Sequence, residues 1–289
     1  MALDQTASKT ETLHPDFGVK VTGVDMTTRT AELVDEVRGL IDRYSFVWFP
    51  DQSFDDDKQL DLTKDLGPPE PAHVARGEGW LEYHGTIGNV QPDGTVLGNS
   101  AQKTKFLTGN NMWHSDASFK PVPAYVSIMC AYETPAEGGE TLFVSTRAAW
   151  KRLSPERQAA LDPLIAIHDY TFSRSKVAEV SAELSATLPP VRQRLVRTNP
   201  ANGERNLFLG SHVREIEGME AGDGRALLDR LVDEAVAEPH VYAHKWSPGD
   251  LVIWDNRCLL HRGAGYDADK YRRYMRQTRV SGACSTLEE

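Results

Sequence analysis

Leu251-Val252-Ile253-Trp254-Asp255-Asn256-Arg257-Cys258-Leu259-Leu260-His261 reads as strand, turn, strand. An apolar run of strand length meets the turn formers Asp255 and Asn256, and a second run then ends on a histidine. Strand parity puts Cys258 and His261 on opposite faces, so this Cys-x-x-His is not a ligand pair. Outward from this hairpin, short strand candidates recur at 126–132, 141–144, 165–171, 194–198, 206–209, 241–246 and 271–280. Helical periodicity interrupts them at 146–161 and 224–237. Before them, 17–24 alternates as a strand, 32–44 carries Leu33, Val37, Leu40 and Ile41 at helical spacing, and 45–50 is an apolar strand stopped by Pro50. A second helix is expected over 54–66, with Leu60, Leu62 and Leu66 inward and Asp55, Asp56 and Asp57 suiting the helix dipole. Many short strands with a few inserted helices predict a mainly β fold, a double-stranded β-helix or jelly roll, rather than an alternating βαβ sheet. The chain is expected to form one domain over 1–289, with a loop or lid region at 67–112 and a helix-bearing insert at 146–240.

The composition narrows the function. The net charge of −10 supplies no basic surplus to neutralise phosphates, so a nucleic-acid partner is not expected. No run of roughly 18 apolar residues exists, so no membrane span is expected either. The polar start of the chain lacks the apolar core of a secretory signal. Three cysteines, Cys130, Cys258 and Cys284, form no disulfide framework. A reducing compartment, the cytoplasm, is the expected location.

Trp113-His114-Ser115-Asp116 supplies a His-x-Asp pair. If the pair lies on a strand, His114 and Asp116 point to one side and can meet one ion, with Trp113 and Phe119 as apolar walls. A jelly roll brings distant strands side by side, so His261 can join them. Two imidazoles and one carboxylate suit a mononuclear Fe(II) that keeps positions open for small molecules, whereas a structural zinc site closes its shell with four ligands. A second copy, His14-Pro15-Asp16, sits near the chain end with a proline at its centre and reads as a turn. His168 and His240 have no carboxylate or second histidine at ligand spacing, and His244, within a strand candidate, reads as a core or interface residue.

Near the C-terminus, Tyr271-Arg272-Arg273-Tyr274-Met275-Arg276 concentrates cations. Parity places Arg272, Tyr274 and Arg276 on one face and Arg273 and Met275 on the other. Two guanidiniums two steps apart form a clamp for a dicarboxylate, since arginine stays charged when desolvated and donates bidentate hydrogen bonds. Arg272 lies eleven residues after His261 and Arg276 fifteen. With Trp113-His114-Ser115-Asp116, Gly138-Gly139-Glu140-Thr141 and the 254–262 segment, the chain resembles the iron(II)/2-oxoglutarate dioxygenases of the taurine dioxygenase and 2,4-dichlorophenoxyacetate dioxygenase family, nearest in detail to the phenoxyalkanoate branch.

The resemblance implies Fe(II), 2-oxoglutarate as cosubstrate and O2. It implies that His114, Asp116 and His261 hold the metal, and that Thr141 and Arg272 bind the remote carboxylate of 2-oxoglutarate. It puts Arg276 by the chelating end and the substrate's acidic group, and Trp254 against the cofactor pocket. Asn110, His73 and Ser211 become substrate-side candidates, with Lys103, Lys105, Arg174, His212 and Arg214 as further lining candidates. The reaction implied is oxidation of a small organic acid, such as an aryloxyalkanoate, a sulfonate or a natural-product intermediate, by hydroxylation, cleavage or desaturation, releasing succinate and CO2. A homo-oligomer is the implied assembly. Two other readings of the same residues stay open at this point: a jelly-roll metal-dependent hydrolase or isomerase, and a non-catalytic small-ligand binder.

Overall fold

The structure is a computed structural model that describes residues 8–71, 82–91 and 93–289, with the side chains of 102, 103 and 106 outside the described set. Its strands are β1 (Lys9–Thr12), β2 (Val19–Thr22), β3 (Phe46–Phe49), β4 (Gly85–Gly88), β5 (Ala124–Glu133), β6 (Thr141–Ser145), β7 (Ile165–His168), β8 (Val191–Arg194), β9 (Val196–Thr198), β10 (Arg205–Leu207), β11 (Val213–Ile216), β12 (Tyr242–His244), β13 (Leu251–Asp255), β14 (Leu259–Gly263) and β15 (Tyr274–Ser281). The helices are α1 (Ala31–Tyr44), α2 (Asp56–Leu66), α3 (Gln102–Leu107), α4 (Thr146–Arg152), α5 (Pro155–Leu161), α6 (Tyr170–Arg174), α7 (Ala182–Thr187) and α8 (Ala221–Ala235).

A major sheet runs in the order β1-β2-β3-β13-β5-β15-β4 and a minor one in the order β12-β6-β14. Neighbours pair antiparallel except β2 with β3. The opening hairpin therefore splits: β13 enters the major sheet between β3 and β5, and β14 crosses to the minor sheet beside β6. The jelly-roll expectation holds, with apolar side chains of the two sheets meeting between them. Phe46, Met129, Val252, Trp254 and Met275 from the major sheet pack there on Phe143 and Leu259 from the minor one.

Helices close both outer faces. Thr30 caps α1 by accepting from the Leu33 amide, and Val34, Val37 and Ile41 turn inward onto Val47, Ile128 and Ile253. Asp55 caps α2 in the same way through Lys58 N. The buried face of α2 differs from the expected leucine stripe: Leu62 and Leu66 are buried, Leu60 is half-buried, and Gln59 and Thr63 fill the space. Gln59 Nε2 donates to the carbonyls of Ile128 and Arg276 at 3.0 and 2.9 Å, and Thr63 and Thr278 hydroxyls meet at 2.6 Å. Periodicity alone could not see polar side chains that join a helix to buried carbonyls of a sheet. On the far side, Val144 and Leu260 of the minor sheet pack with Trp150, Leu161, Leu228 and Leu231 of the 146–240 segment.

Several boundaries move for local reasons. The 146–161 helix breaks at Leu153, because Ser154 caps a new helix whose first residue is Pro155. The strand at 165–171 stops at His168, where Asp169 caps α6 through Phe172 N. The 67–112 region is not uniformly irregular, since it holds β4 and α3. The last strand begins at Tyr274 rather than 271, and its register shifts at once, between Tyr274 and Met275.

Candidate active site

His114 and His261 meet across a single antiparallel bridge, each amide donating to the other's carbonyl at 3.0 and 2.9 Å. The pair does not lie on a regular strand. One bridge supplies the alignment, and the chain then turns away through Ala117, whose φ is 53°. The bridge comes from the edge of β14, so the imidazoles lie side by side with ring centroids 4.2 Å apart. Asp116 faces both: its Oδ1 is 3.7 Å from His114 Nε2 and its Oδ2 is 3.7 Å from His261 Nε2. These spacings exceed a hydrogen bond. One donor atom from each residue lies within 4.8 Å of the others.

The three side chains are prepared as ligands. Met112 O lies 2.8 Å from His114 Nδ1, which fixes the proton there and leaves the Nε2 lone pair directed at Asp116. His261 is clamped between Phe143, stacked at 5.7 Å, and Trp254, edge-on at 5.0 Å. Burial pushes the pKa of His114 down, and burial followed by His114 itself takes that of His261 down to about 3, so both rings are neutral at pH 7. Burial opposes the charge on Asp116, but His261, His114, Arg279 and the Ser127 hydroxyl outweigh it and hold the carboxyl below the ordinary range. Two neutral imidazoles and an ionised carboxylate are the donor set that ferrous iron takes. The residues present fit that ion.

A cavity opens from this cluster. It is lined by Ile87, Met129, Thr141, Tyr266, Arg273 and Gln277 from the β strands and their exits, and by Asn99, Thr104, Leu107, Thr108, Asn110 and Asn111 from the 93–111 segment. Thr141 does line it, with Oγ1 accepting from Trp246 Nε1 at 2.9 Å. Asn110 does too, and its Oδ1 accepts from the buried Arg174 at 2.8 Å. Trp254 lies behind His261 rather than in the wall, fully buried. Ser211 does not line the cavity; its amide donates to Trp113 O at 2.8 Å. His73 lies outside the described residues, as does the side chain of Lys103. Of the further candidates Lys105, Arg174, His212 and Arg214, none lines the cavity.

The arginine expectation needs correction by one residue. Arg272 points to solvent and forms an ion pair with Glu133, while Arg276 lies on the α2 side of the sheet, bound by Asp56 at 2.8 Å. The parity was sound, but the cavity lies on the other face, the one carrying Arg273, Met275 and Gln277. Arg273 is buried and lines the cavity, its Nε has no hydrogen-bond partner, and no carboxylate pairs with it among the described residues. Burial brings its pKa down to about 10, against the opposing pull of Tyr266, so it is charged at pH 7. A buried cation without an anion is costly. An anionic ligand entering the cavity would relieve it. Also unanticipated is the role of Gln277, whose Nε2 donates to Asp116 Oδ2 at 2.8 Å.

The comparisons agree with this geometry. Residues 9–279 match the family model described as "Taurine catabolism dioxygenase TauD, TfdA family". The alpha-ketoglutarate-dependent 2,4-dichlorophenoxyacetate dioxygenase of Cupriavidus pinatubonensis is 34% identical over 94% of this chain and 97% of its own. The (S)-phenoxypropionate/alpha-ketoglutarate-dioxygenase of Sphingobium herbicidovorans is 33% identical over 93% of each chain. Among solved structures, AAD-2 in complex with Mn(II) and N-oxalylglycine superposes with a TM-score of 0.89 at 33% identity, covering 98% of this chain and 99% of that one. The chain belongs to the TauD/TfdA family of dioxygenases, oxidoreductases that use Fe(II), 2-oxoglutarate and O2.

Proposed function

We propose that His114, Asp116 and His261 hold the ferrous ion, that Arg273 and Thr141 take the distal carboxylate of 2-oxoglutarate, and that the chain oxidises a C–H bond of a small organic acid. The observation that carries this reading is the buried Arg273 guanidinium, without an acidic partner among the described residues, in the same cavity as the His/Asp/His cluster. A metal-dependent hydrolase would have no use for that cation.

Iron held by His114, Asp116 and His261 would supply the activation of O2, coupled to oxidative decarboxylation of 2-oxoglutarate to succinate and CO2. The chain does the rest. One carboxylate against a divalent ion leaves the centre net positive, which draws in a chelating dianion. Arg273 and the Thr141 hydroxyl fix the far end of that dianion. Ile87, Leu107, Met129 and Tyr266 exclude water, and the amides of Asn110 and Asn111 orient the substrate. Asn110 is set for this, because Arg174 occupies its Oδ1 and leaves its amide nitrogen to donate. The relatives named for 2,4-dichlorophenoxyacetate and phenoxypropionate support an aryloxyalkanoate as the first substrate to try. Sulfonates and natural-product acids follow.

We read the chain as one dioxygenase domain in which the described part of the 67–112 segment walls the substrate side and 146–240 is an insert. The cytoplasm and a homo-oligomeric state belong to the same proposal, checked by cell fractionation and light scattering. No described helix is long and apolar enough to cross a membrane.

The test is anaerobic addition of Fe(II) and 2-oxoglutarate, which should give a weak visible charge-transfer band. Air should then release succinate, fastest with the true substrate in a parallel screen of acids. Absence of both signals in freshly reconstituted protein rejects the reading.

A further inference from the structure

Asp116 is held unevenly. Its Oδ2 accepts two protein hydrogen bonds, from Ser127 Oγ at 2.6 Å and Gln277 Nε2 at 2.8 Å. No donor reaches Oδ1 among the described residues. Ser127 sits on β5 and Gln277 on β15, neighbouring strands of the major sheet, so the two donors are fixed by the sheet itself. The Ser127 proton is also directed. Asn256 Nδ2 donates to Ser127 Oγ at 2.9 Å, which leaves the hydroxyl hydrogen for Asp116. The orientation of Asn256 is set in turn, because its Oδ1 accepts from Trp254 Nε1 at 3.1 Å and from the Asp116 amide at 3.3 Å. Trp254, Asn256 and Ser127 are all buried.

We propose that Ser127 and Gln277 are positioning residues that spend both lone pairs of Asp116 Oδ2, so that the carboxylate binds iron through Oδ1 alone and the positions opposite stay open. The proposal rests on the metal-ligand reading above. A carboxylate has two oxygens at a separation that one divalent ion can span. If Oδ2 were free, the carboxylate could swing to bidentate binding and take a position that the cosubstrate's chelating end or O2 needs. Two donors on one oxygen oppose that swing. Partners of this kind, which orient a metal ligand without touching the metal, typically change affinity or activity by about 10–100-fold when lost.

The identity of residue 277 fits the same role. The sequence expectation placed two arginines four residues apart, and the structure moves the first from Arg272 to Arg273. Four residues beyond Arg273, on the cavity face, stands Gln277, an amide. A guanidinium in that place would meet Asp116 as a counter-charge and compete with the metal. An amide donates one hydrogen bond and leaves the carboxylate its charge. Asn256, which orients the Ser127 hydroxyl and accepts from the Asp116 backbone amide, belongs to the same device.

The experiment counts exchangeable waters on Mn(II) by water-proton relaxation in the full-length protein, and measures 2-oxoglutarate affinity separately by calorimetry. Ser127→Ala, Gln277→Leu and their combination should bind one Mn(II) but carry one exchangeable water fewer than wild type, with 2-oxoglutarate weakened about 10–100-fold. Ser127→Thr keeps the hydroxyl and should retain the wild-type water count. Circular dichroism checks the fold, and Gln277→Leu alone decides the matter if Ser127→Ala does not fold. An unchanged water count in the folded variants overturns the proposal. So does a water lost equally in Ser127→Thr. Failure of the wild type itself to bind Mn(II) would instead overturn the ligand assignment beneath it, a result distinct from either.

Discussion

Arg273 is the residue at which charge, burial and position coincide. Its backbone amide is held by Asn89 Oδ1 at 2.8 Å and its guanidinium lies over the Tyr266 ring, so the head group is presented to the cavity with little freedom left. Removing one partner of a buried charge pair costs roughly 3–5 kcal/mol. Arg273→Ala should therefore weaken 2-oxoglutarate at least about 100-fold, read by calorimetry or by the visible band. Arg272→Ala, which loses only a solvent-exposed contact with Glu133, should leave that affinity within about twofold of wild type. Equal losses in the two variants would return Arg272 to the site. The two arginines are adjacent in sequence, and parity separated them onto opposite faces correctly. What the sequence could not say is which face holds the cavity, because both are buried: one meets α2 through Arg276 and Thr278, the other meets the metal cluster through Met275 and Gln277. Exposure normally marks the outer face of a strand, and here neither face of β15 has it over most of its length.

At the scale of elements, the critical junction joins β4 to the start of β15. Gly88 ends β4 with φ 135°, and a Cβ there would collide with the Arg273 carbonyl. That carbonyl in turn accepts from the amides of Asn89 and Val90 at 3.1 and 3.3 Å. The glycine thus lets the exit of β4 pass close enough to hold the arginine's backbone. Gly88→Ala should both strain the turn and displace Arg273. A cost of about 1–3 kcal/mol for the strained φ implies a fall in Tm of several degrees, with weaker 2-oxoglutarate binding alongside it. A melting curve and a titration on the same sample check this, and an unchanged pair of values would show that the junction plays no part. The elements on either side differed in legibility. The hairpin 251–261 was readable because its apolar runs are bounded by turn formers. The segment before Tyr274 was not, since Tyr271-Arg272-Arg273 alternates like a strand while its backbone is taken up by contacts to Asn89 and Asp267. The short bridge at His114 was also invisible, because one pair of hydrogen bonds leaves no periodicity.

Across the whole molecule the layers divide the work: helices α1 and α2 seal one sheet, the 146–240 segment seals the other, and the metal cluster lies where the two sheets meet. Loading the cluster should therefore stabilise the entire fold. Divalent ion at about 100 times its Kd contributes roughly 2.7 kcal/mol, seen as a rise in Tm on adding Mn(II) that is absent in His261→Ala.

The outer layer carries a second, metal-independent sensitivity, at His168 on β7. Its ring is fully buried, stacked on Phe208 at 5.0 Å, and neither nitrogen has a hydrogen-bond partner among the described residues. Burial, helped by the nearby Arg197, lowers its pKa from 6.5 to about 3. Below about pH 6.5 the unfolded chain takes up a proton that the folded chain refuses. The stability attached to this residue is thus complete above that pH and is lost progressively as pH falls towards 3. Between pH 7 and 5 the loss amounts to about 2 kcal/mol. His168→Leu replaces the ring with a side chain that cannot titrate, at some cost in packing that is the same at both pH values. Urea unfolding of metal-free protein at pH 7 and pH 5 should show a smaller acid loss in the variant, whatever its absolute stability. If wild type and variant lose the same amount, protons enter the fold elsewhere and His168 is a spectator.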